Sequence, residues 1–138
     1  MEFSFKNTTK LRVRYAETDQ MGYVYYGNYA QYFEVGRVEA MRSVGMSYRE
    51  LEEQGIMLPV SEFSTNYFAP AKYDDELTIT TSIVAVKGAR LQFDYEIHND
   101  QGTLIVKAST TLVFVAKNTM RPIKAPDLFL KLLEKYSV

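Results

Sequence analysis

The chain has 138 residues, the size of one domain with room for a proper core. Hydrophobic residues make up 46% and charged residues 24%, a balance too apolar for disorder. Lys and Arg number 16 against 17 Asp and Glu, for a formal net charge of −1, and no basic block supplies the footprint of a nucleic-acid partner.

There is no cysteine and only one histidine, His98. Disulfides, thiol nucleophiles, cysteine metal sites and histidine clusters are therefore excluded, and no metal or cofactor is expected. Catalysis has carboxylates, hydroxyls and backbone donors to work with. The first ten residues, MEFSFKNTTK, lack the apolar core of a signal peptide, and no apolar run approaches the ~18 residues of a membrane span. A cytoplasmic location is the default expectation.

No repeat, low-complexity stretch or linker breaks the chain, so residues 1–138 read as one domain. Residues 10–16 alternate, with Leu11, Val13 and Tyr15 opposite Lys10, Arg12 and Arg14, which predicts a half-buried strand. A turn-rich stretch follows around Asp19, Gly22 and Gly27. Tyr29, Phe33, Gly36, Ala40 and Val44 then recur at steps of three and four, predicting a helix that buries one face. Gln31, Glu34, Arg42 and Arg49 fit its wet side. Asn28 is the expected N-cap, with Gln31 completing a capping box, and Gly45 is the expected left-handed terminator. Two small residues on the buried stripe, Gly36 and Ala40, allow a neighbouring surface to approach the axis closely.

Strands are expected at residues 57–68, 77–86, 91–98 and 104–115. In the third, Leu91, Phe93, Tyr95 and Ile97 alternate strictly with Gln92, Asp94, Glu96 and His98, and Asn99-Asp100-Gln101-Gly102 marks a hairpin turn to the fourth. A last helix is expected at about residues 126–136, with Leu128, Leu132 and Leu133 on its apolar side. Together these elements predict an α+β domain, a curled antiparallel sheet around one long helix.

Residues 14–28 read RYAETDQMGYVYYGN, and the helix continues YAQYFEVGRVEAM. With PAKYDDELTI at residues 70–79, this closely resembles the 4-hydroxybenzoyl-CoA thioesterase family, the acyl-CoA hydrolase branch of the hotdog fold. The pattern is an aspartate, a glycine three residues on, an aromatic pair, Asn-Tyr and the core helix, here Asp19, Gly22, Tyr25-Tyr26 and Asn28-Tyr29. The resemblance implies acyl-CoA thioester hydrolysis, with Asp19 as general base or acyl-accepting nucleophile. It also implies an oxyanion donor at the helix N-terminus, the backbone N–H near Tyr26. Many members carry His where this chain has Tyr26, so Tyr26 is expected to position or donate a hydrogen bond while Asp19 acts. Gly22, Tyr25 and Asn28 fall in the implied substrate-binding set. Arg90, together with Lys72, Lys87 and Lys117, is a candidate for the CoA phosphates, although each equally fits an ordinary surface charge. A homodimer, and often a tetramer, is implied, with Asp19 facing strands of the second chain. Acyl carrier protein is an alternative acyl donor.

Blander assignments stand beside these. Asp19 also fits a turn residue accepting backbone hydrogen bonds. Glu34 and Glu39 are rival bases, better explained as solvated helix charges. Asp74 and Asp75 read as turn formers, and His98 as solvent-facing. That setting of His98 weighs against a hotdog dehydratase, which needs a histidine with a carboxylate. A non-catalytic acyl-CoA-binding module would keep the pocket without needing Asp19.

Overall fold

The computed structural model describes residues 1–138. Strand alternation starts earlier than expected: β1 runs Glu2–Arg12 and places Phe3 and Phe5 in the core. It also ends earlier. Leu11 is half-buried and Val13 buried, but Tyr15 is 77% exposed in a 3-10 turn spanning Tyr15–Glu17. The cause is local. Glu17 turns back to accept the Arg14 N–H and guanidinium, which closes the chain into a turn where alternation alone would extend it.

The long helix α1, Tyr29–Val44, follows, and Gly45 terminates it with φ +112°. A short helix α2, Tyr48–Glu53, was not legible, since six residues are too few to display a helical period; the Ser47 hydroxyl caps it by accepting the Glu50 N–H. The strand expected at residues 57–68 is two strands. β2 (Ile56–Met57) comes before Pro59, and β3 (Val60–Tyr67) after it. Then come β4 (Glu76–Lys87), β5 (Arg90–Asn99), β6 (Leu104–Val113), β7 (Val115–Ala116) and α3 (Asp127–Leu133). α3 buries Phe129 and Leu133, one turn apart, while Leu128 is 54% exposed, so the expected apolar side of this helix is rotated.

Five strands form one antiparallel sheet in the order β1-β4-β5-β6-β3, and β2 pairs separately with β7. Leu77, Ile79 and Ile83 of β4 and Leu91, Phe93 and Ile97 of β5 are wholly buried; α1 lies across this face. The helix buries Tyr29, Tyr32, Phe33, Gly36, Arg37, Ala40 and Met41. Gly36 sets its distance: a Cβ there would lie 2.5 Å from Thr81 Oγ1 and 2.9 Å from Ile79 Cγ2. This is the hotdog arrangement the sequence implied. No helix is long and apolar enough to cross a membrane. The sheet ends laterally at β3, whose Phe63 and Tyr67 pack against Phe33 and Tyr29 yet remain 47% and 52% exposed.

Candidate active site

Of the segment joining β1 to α1 only the apolar side chains of Val13 and Val24 are buried, and hydrogen bonds order the rest. Glu17 ties it inward. One carboxylate oxygen, Oε1, accepts the Arg14 N–H at 2.9 Å and the Tyr32 hydroxyl at 2.9 Å; Oε2 accepts Arg14 Nη2 at 3.0 Å. The Glu17 carbonyl accepts the Tyr25 N–H at 2.9 Å and Asn28 Nδ2 at 2.8 Å. Burial pushes the Glu17 carboxyl up, but the Arg14 N–H, the Tyr32 hydroxyl and the Arg14 guanidinium together hold it below the ordinary carboxylate value. The same burial pushes Tyr32 well above a free phenol and Tyr29 up to about 12.

Backbone pairing with the 70–75 loop holds the other side. The Val24 N–H donates to Ala71 O at 2.8 Å and the Tyr73 N–H to Gly22 O at 3.1 Å. Val13 N–H donates to Asp75 O, and Asp74 N–H to Val13 O. Thus the two sequence stretches that carried the resemblance dock on one another. Asp74, at φ +70°, and Asp75, whose Oδ2 accepts the Lys72 N–H, are turn formers as expected.

Asp19 sits in the turn between these anchors. Its Oδ1 accepts the Met21 N–H at 2.9 Å and the Tyr23 N–H at 3.2 Å, and every internal hydrogen bond to the carboxylate falls on that oxygen. Oδ2 is left open. The turn residue and the candidate base are therefore one and the same group, one oxygen holding the turn and the other without a partner in the chain. Gly22 closes the turn at φ +78°, a left-handed conformation that side chains rarely adopt, and donates to Asp19 O at 3.0 Å.

Asn28 does not cap α1. A 3-10 turn, Tyr26–Asn28, precedes the helix, so Asn28 already has helical dihedrals (φ −80°, ψ −15°) and its amide reaches back to Glu17. The expected capping box with Gln31 is absent for that reason. Asn28 is a strut between loop and helix. The N–H groups of Tyr26 and Gly27 donate to no acceptor within the chain, as expected at a helix start. The Tyr25 ring lies over Gly27, where a Cβ would meet it at 2.8 Å, and 4.8 Å from the Tyr26 ring, itself 65% exposed.

Two hollows share Asp19. One, of about 350 Å³, is apolar and lined by Met21, Tyr26, Tyr29, Tyr67 and Phe68; the other, of about 600 Å³, lies among Tyr15, Thr18, Gln20, Gly22 and Tyr73. A separate polar depression of about 430 Å³, with Lys6, Ser82, Asp94 and Lys107 in its lining, lies on the face of the sheet away from α1 and does not include Asp19.

Asp19, Gly22, Tyr25, Tyr26 and Asn28 are thus brought together, and Arg90 is not. It opens β5 opposite Lys87, at the end of β4 remote from Glu76 and the site loop, about 35 Å along the strand at ~3.3 Å per residue. Glu34 is exposed, Glu39 pairs with Arg42, and His98 sits beside Glu96 at 3.7 Å, so these three rivals stay solvated or paired. Sequence reading missed Glu17 and Tyr32. The available signal was an acid two residues before Asp19 and a tyrosine adjoining the buried helical stripe.

The thioesterase superfamily family model matches residues 21–106, which include most of this site and the central strands. The Bacillus subtilis protein YneP, named as a candidate acyl-CoA thioesterase, is 36% identical over 120 residues, covering 87% of each chain. The Escherichia coli acyl-CoA thioester hydrolase YbgC is 34% identical, over 84% of this chain and 87% of that one. Among solved structures, a DHNA-CoA thioesterase from Staphylococcus aureus superposes with a TM-score of 0.88 at 36% identity, covering 95% of this chain and 88% of the other. The chain belongs to the thioesterase superfamily. Its class of chemistry is thioester hydrolysis.

Proposed function

We propose that this protein hydrolyses acyl-CoA thioesters at Asp19. The observation that carries the reading is the division of labour within one carboxylate: Oδ1 is fixed by two backbone N–H groups, while Oδ2 has no partner in the chain, and Asp19 shares the apolar hollow with Tyr26, whose N–H is open. A thioester carbonyl set against the Tyr26 N–H develops its negative charge where a donor and the positive end of α1 already stand. Asp19 Oδ2 then acts in one of two ways. As a base it takes a proton from water while the water oxygen bonds to the carbonyl carbon; the carbon–sulfur bond breaks, and the thiolate takes up the proton. As a nucleophile it bonds to that carbon itself and expels the thiolate, leaving a mixed anhydride that water cleaves to the free acid and Asp19. The Tyr26 phenol orients the substrate in either route.

Assembly completes the site. The β3 edge has unpaired backbone groups and half-exposed aromatics, a liability that pairing with a second copy removes. Antiparallel β3–β3 pairing sets the Tyr67 end of one sheet beside the Val60 end of the other. That arrangement carries the Lys87–Arg90 turn of the second copy toward the first copy's Asp19 and gives Arg90 a route to CoA phosphates. Two such dimers would make the tetramer, and an acyl carrier protein thioester is chemically equivalent at the reacting carbon.

The test is thiol release from a panel of short, long, branched and aromatic acyl-CoAs. Asp19→Asn should lose about a hundred- to ten-thousandfold in kcat, the worth of a general base, while its circular dichroism stays unchanged. A folded Asp19→Asn protein with full turnover refutes the role of Asp19. Wild-type protein that binds acyl-CoA and releases no thiol from any of them would favour the non-catalytic binding module.

A further inference from the structure

α1 buries a charge that nothing in the chain answers. Arg37 is 8% exposed, its Nε has no hydrogen-bond partner, and it takes part in no ion pair. Glu34, one turn earlier, is exposed and leaves it unpaired. The hydroxyls beside the guanidinium are those of Tyr48 and Tyr95. Burial holds both phenols above their ordinary value, so neither supplies a negative charge. Tyr95 is engaged with Thr110, whereas the Tyr48 hydroxyl is buried without a partner. A buried guanidinium lacking an anion is costly, and its fork beside a free hydroxyl matches a carboxylate.

Arg37 also stands on the stripe that begins at the reacting group. Tyr29, Phe33 and Arg37 follow at steps of four on α1, and Tyr29 lines the apolar hollow that includes Asp19. From Tyr29 to Arg37 is about 12 Å along the helix axis at ~1.5 Å per residue. The β3 edge runs alongside: Tyr67 packs on Tyr29 at 5.6 Å and Phe63 on Phe33 at 5.9 Å. Both β3 rings are half exposed, so the seam between edge and helix is open along its flank. Thr65, between those rings on the same face of β3, adds a buried hydroxyl with no partner. The seam has aromatic walls and a polar end. We propose that Arg37, with the Tyr48 hydroxyl, selects acyl groups that end in a carboxylate, the half-thioesters of dicarboxylic acids, with the chain lying in the α1–β3 seam. This deepens the reading of Asp19 as the reacting group and rests on it. A neutral chain of the same length leaves the guanidinium desolvated and unmatched, and a shorter diacid strands its carboxylate among the rings.

The experiment compares CoA thioesters that differ only at the far end: decanoyl-, ω-hydroxydecanoyl- and sebacoyl-CoA, with hexanoyl- and adipoyl-CoA as the short pair. In wild type, kcat/KM should favour sebacoyl- over decanoyl-CoA by about tenfold to a hundredfold, the worth of hydrogen bonds to a charged group, and adipoyl-CoA should gain no such advantage over hexanoyl-CoA. Arg37→Met, similar in length and uncharged, should abolish the sebacoyl preference, and Tyr48→Phe should reduce it by about threefold to tenfold. Each reading is a ratio within one protein, so general damage to the fold cancels. Arg37→Lys, which keeps the charge and loses the fork, should retain only part of the preference and serves if Arg37→Met does not fold. Equal kcat/KM for sebacoyl- and decanoyl-CoA in wild type, a preference for the ω-hydroxy chain, or a sebacoyl preference that survives in Arg37→Met would overturn the assignment. So would an Arg37→Met protein that becomes monomeric beside a wild type without preference, because the missing anion would then come from a second copy. Calorimetric binding of sebacoyl- and decanoyl-CoA to Asp19→Asn separates the two readings. A fully active Asp19→Asn defeats the catalytic role, whereas an inactive one that binds both chains equally defeats the Arg37 assignment alone.

Discussion

Glu17→Gln isolates the knot that holds the site loop. The glutamate carboxylate, 8% exposed, accepts four hydrogen bonds, two on each oxygen. In glutamine one oxygen becomes an NH₂ group, which has to face either the Arg14 guanidinium or the pair formed by Arg14 N–H and Tyr32 hydroxyl. The first orientation is the cheaper, because the Arg14 side chain is 79% exposed and can turn to water, and an exposed ion pair is worth only ~0–1 kcal/mol. The bonds kept on the amide oxygen still weaken. Hydrogen bonds to a charged acceptor contribute about 1.5–3 kcal/mol and neutral ones about 0.5–1.5. The sum is a loss of about 2 kcal/mol. With unfolding entropy near 2.1 cal/mol/K per residue, a chain of this length loses about 7 °C in Tm for that amount.

The pH dependence supplies the sign. Glu17's folded pKa lies below its ordinary value of 4.5, so its stabilisation is present in full above that value and is lost as pH falls through the folded pKa. Thermal unfolding at fixed protein concentration should therefore show the full gap between wild type and Glu17→Gln at neutral pH, closing as the pH drops from 4.5. A gap of less than a degree at neutral pH, or one that persists undiminished into acid, would refute this account of what holds the loop.

Gly36→Ala should be destabilising despite alanine's gain of about 1 kcal/mol in helix propensity. The new Cβ meets Thr81 Oγ1 at 2.5 Å and Ile79 Cγ2 at 2.9 Å, and overpacking of that kind costs about 1–3 kcal/mol, at the upper end here because two atoms collide. Adding Thr81→Ala should recover part of the loss in a thermal melt, since Thr81 Oγ1 is the nearer atom and has no hydrogen-bond partner; a Gly36→Ala protein as stable as wild type would show that α1 can lift freely. Phe63→Lys puts a charge on the β3 edge and should turn a dimer into a monomer by light scattering, with thiol release lost alongside; a monomeric, fully active wild type would remove the assembly argument.

The helix, the hairpin of β5 and β6 and the loop carrying Asp19 were all legible because each rests on a short-range rule: a 3.6-residue stripe, strict alternation, a glycine that must be left-handed. What escaped was decided by contacts distant in sequence or by rival local bonds. Phe3 and Phe5 alternate over too few residues to announce β1, whose pairing is with β4, some 75 residues on. Tyr15 matched the alternation and lost to the Arg14–Glu17 turn. Asn28 matched a cap and was drawn to the Glu17 carbonyl instead. Arg90 was chosen for its charge, and only the strand register reveals that it opens the wrong end of the sheet for its own chain's Asp19. Glu17 itself looked like one acid among several, because nothing near it in sequence announces that Tyr32 will arrive from the helix.

The backbone pairing between the Val13–Val24 segment and the 70–75 loop has a consequence for how the enzyme can change. Main-chain amides and carbonyls are indifferent to the residue that bears them, so Met21, Tyr23 and Lys72 can be exchanged with little displacement of Asp19. Saturation libraries at Met21 and Tyr23, which line the apolar hollow, should be rich in folded, active clones with altered acyl preference. The scaffold separates retuning of selectivity from loss of the reaction.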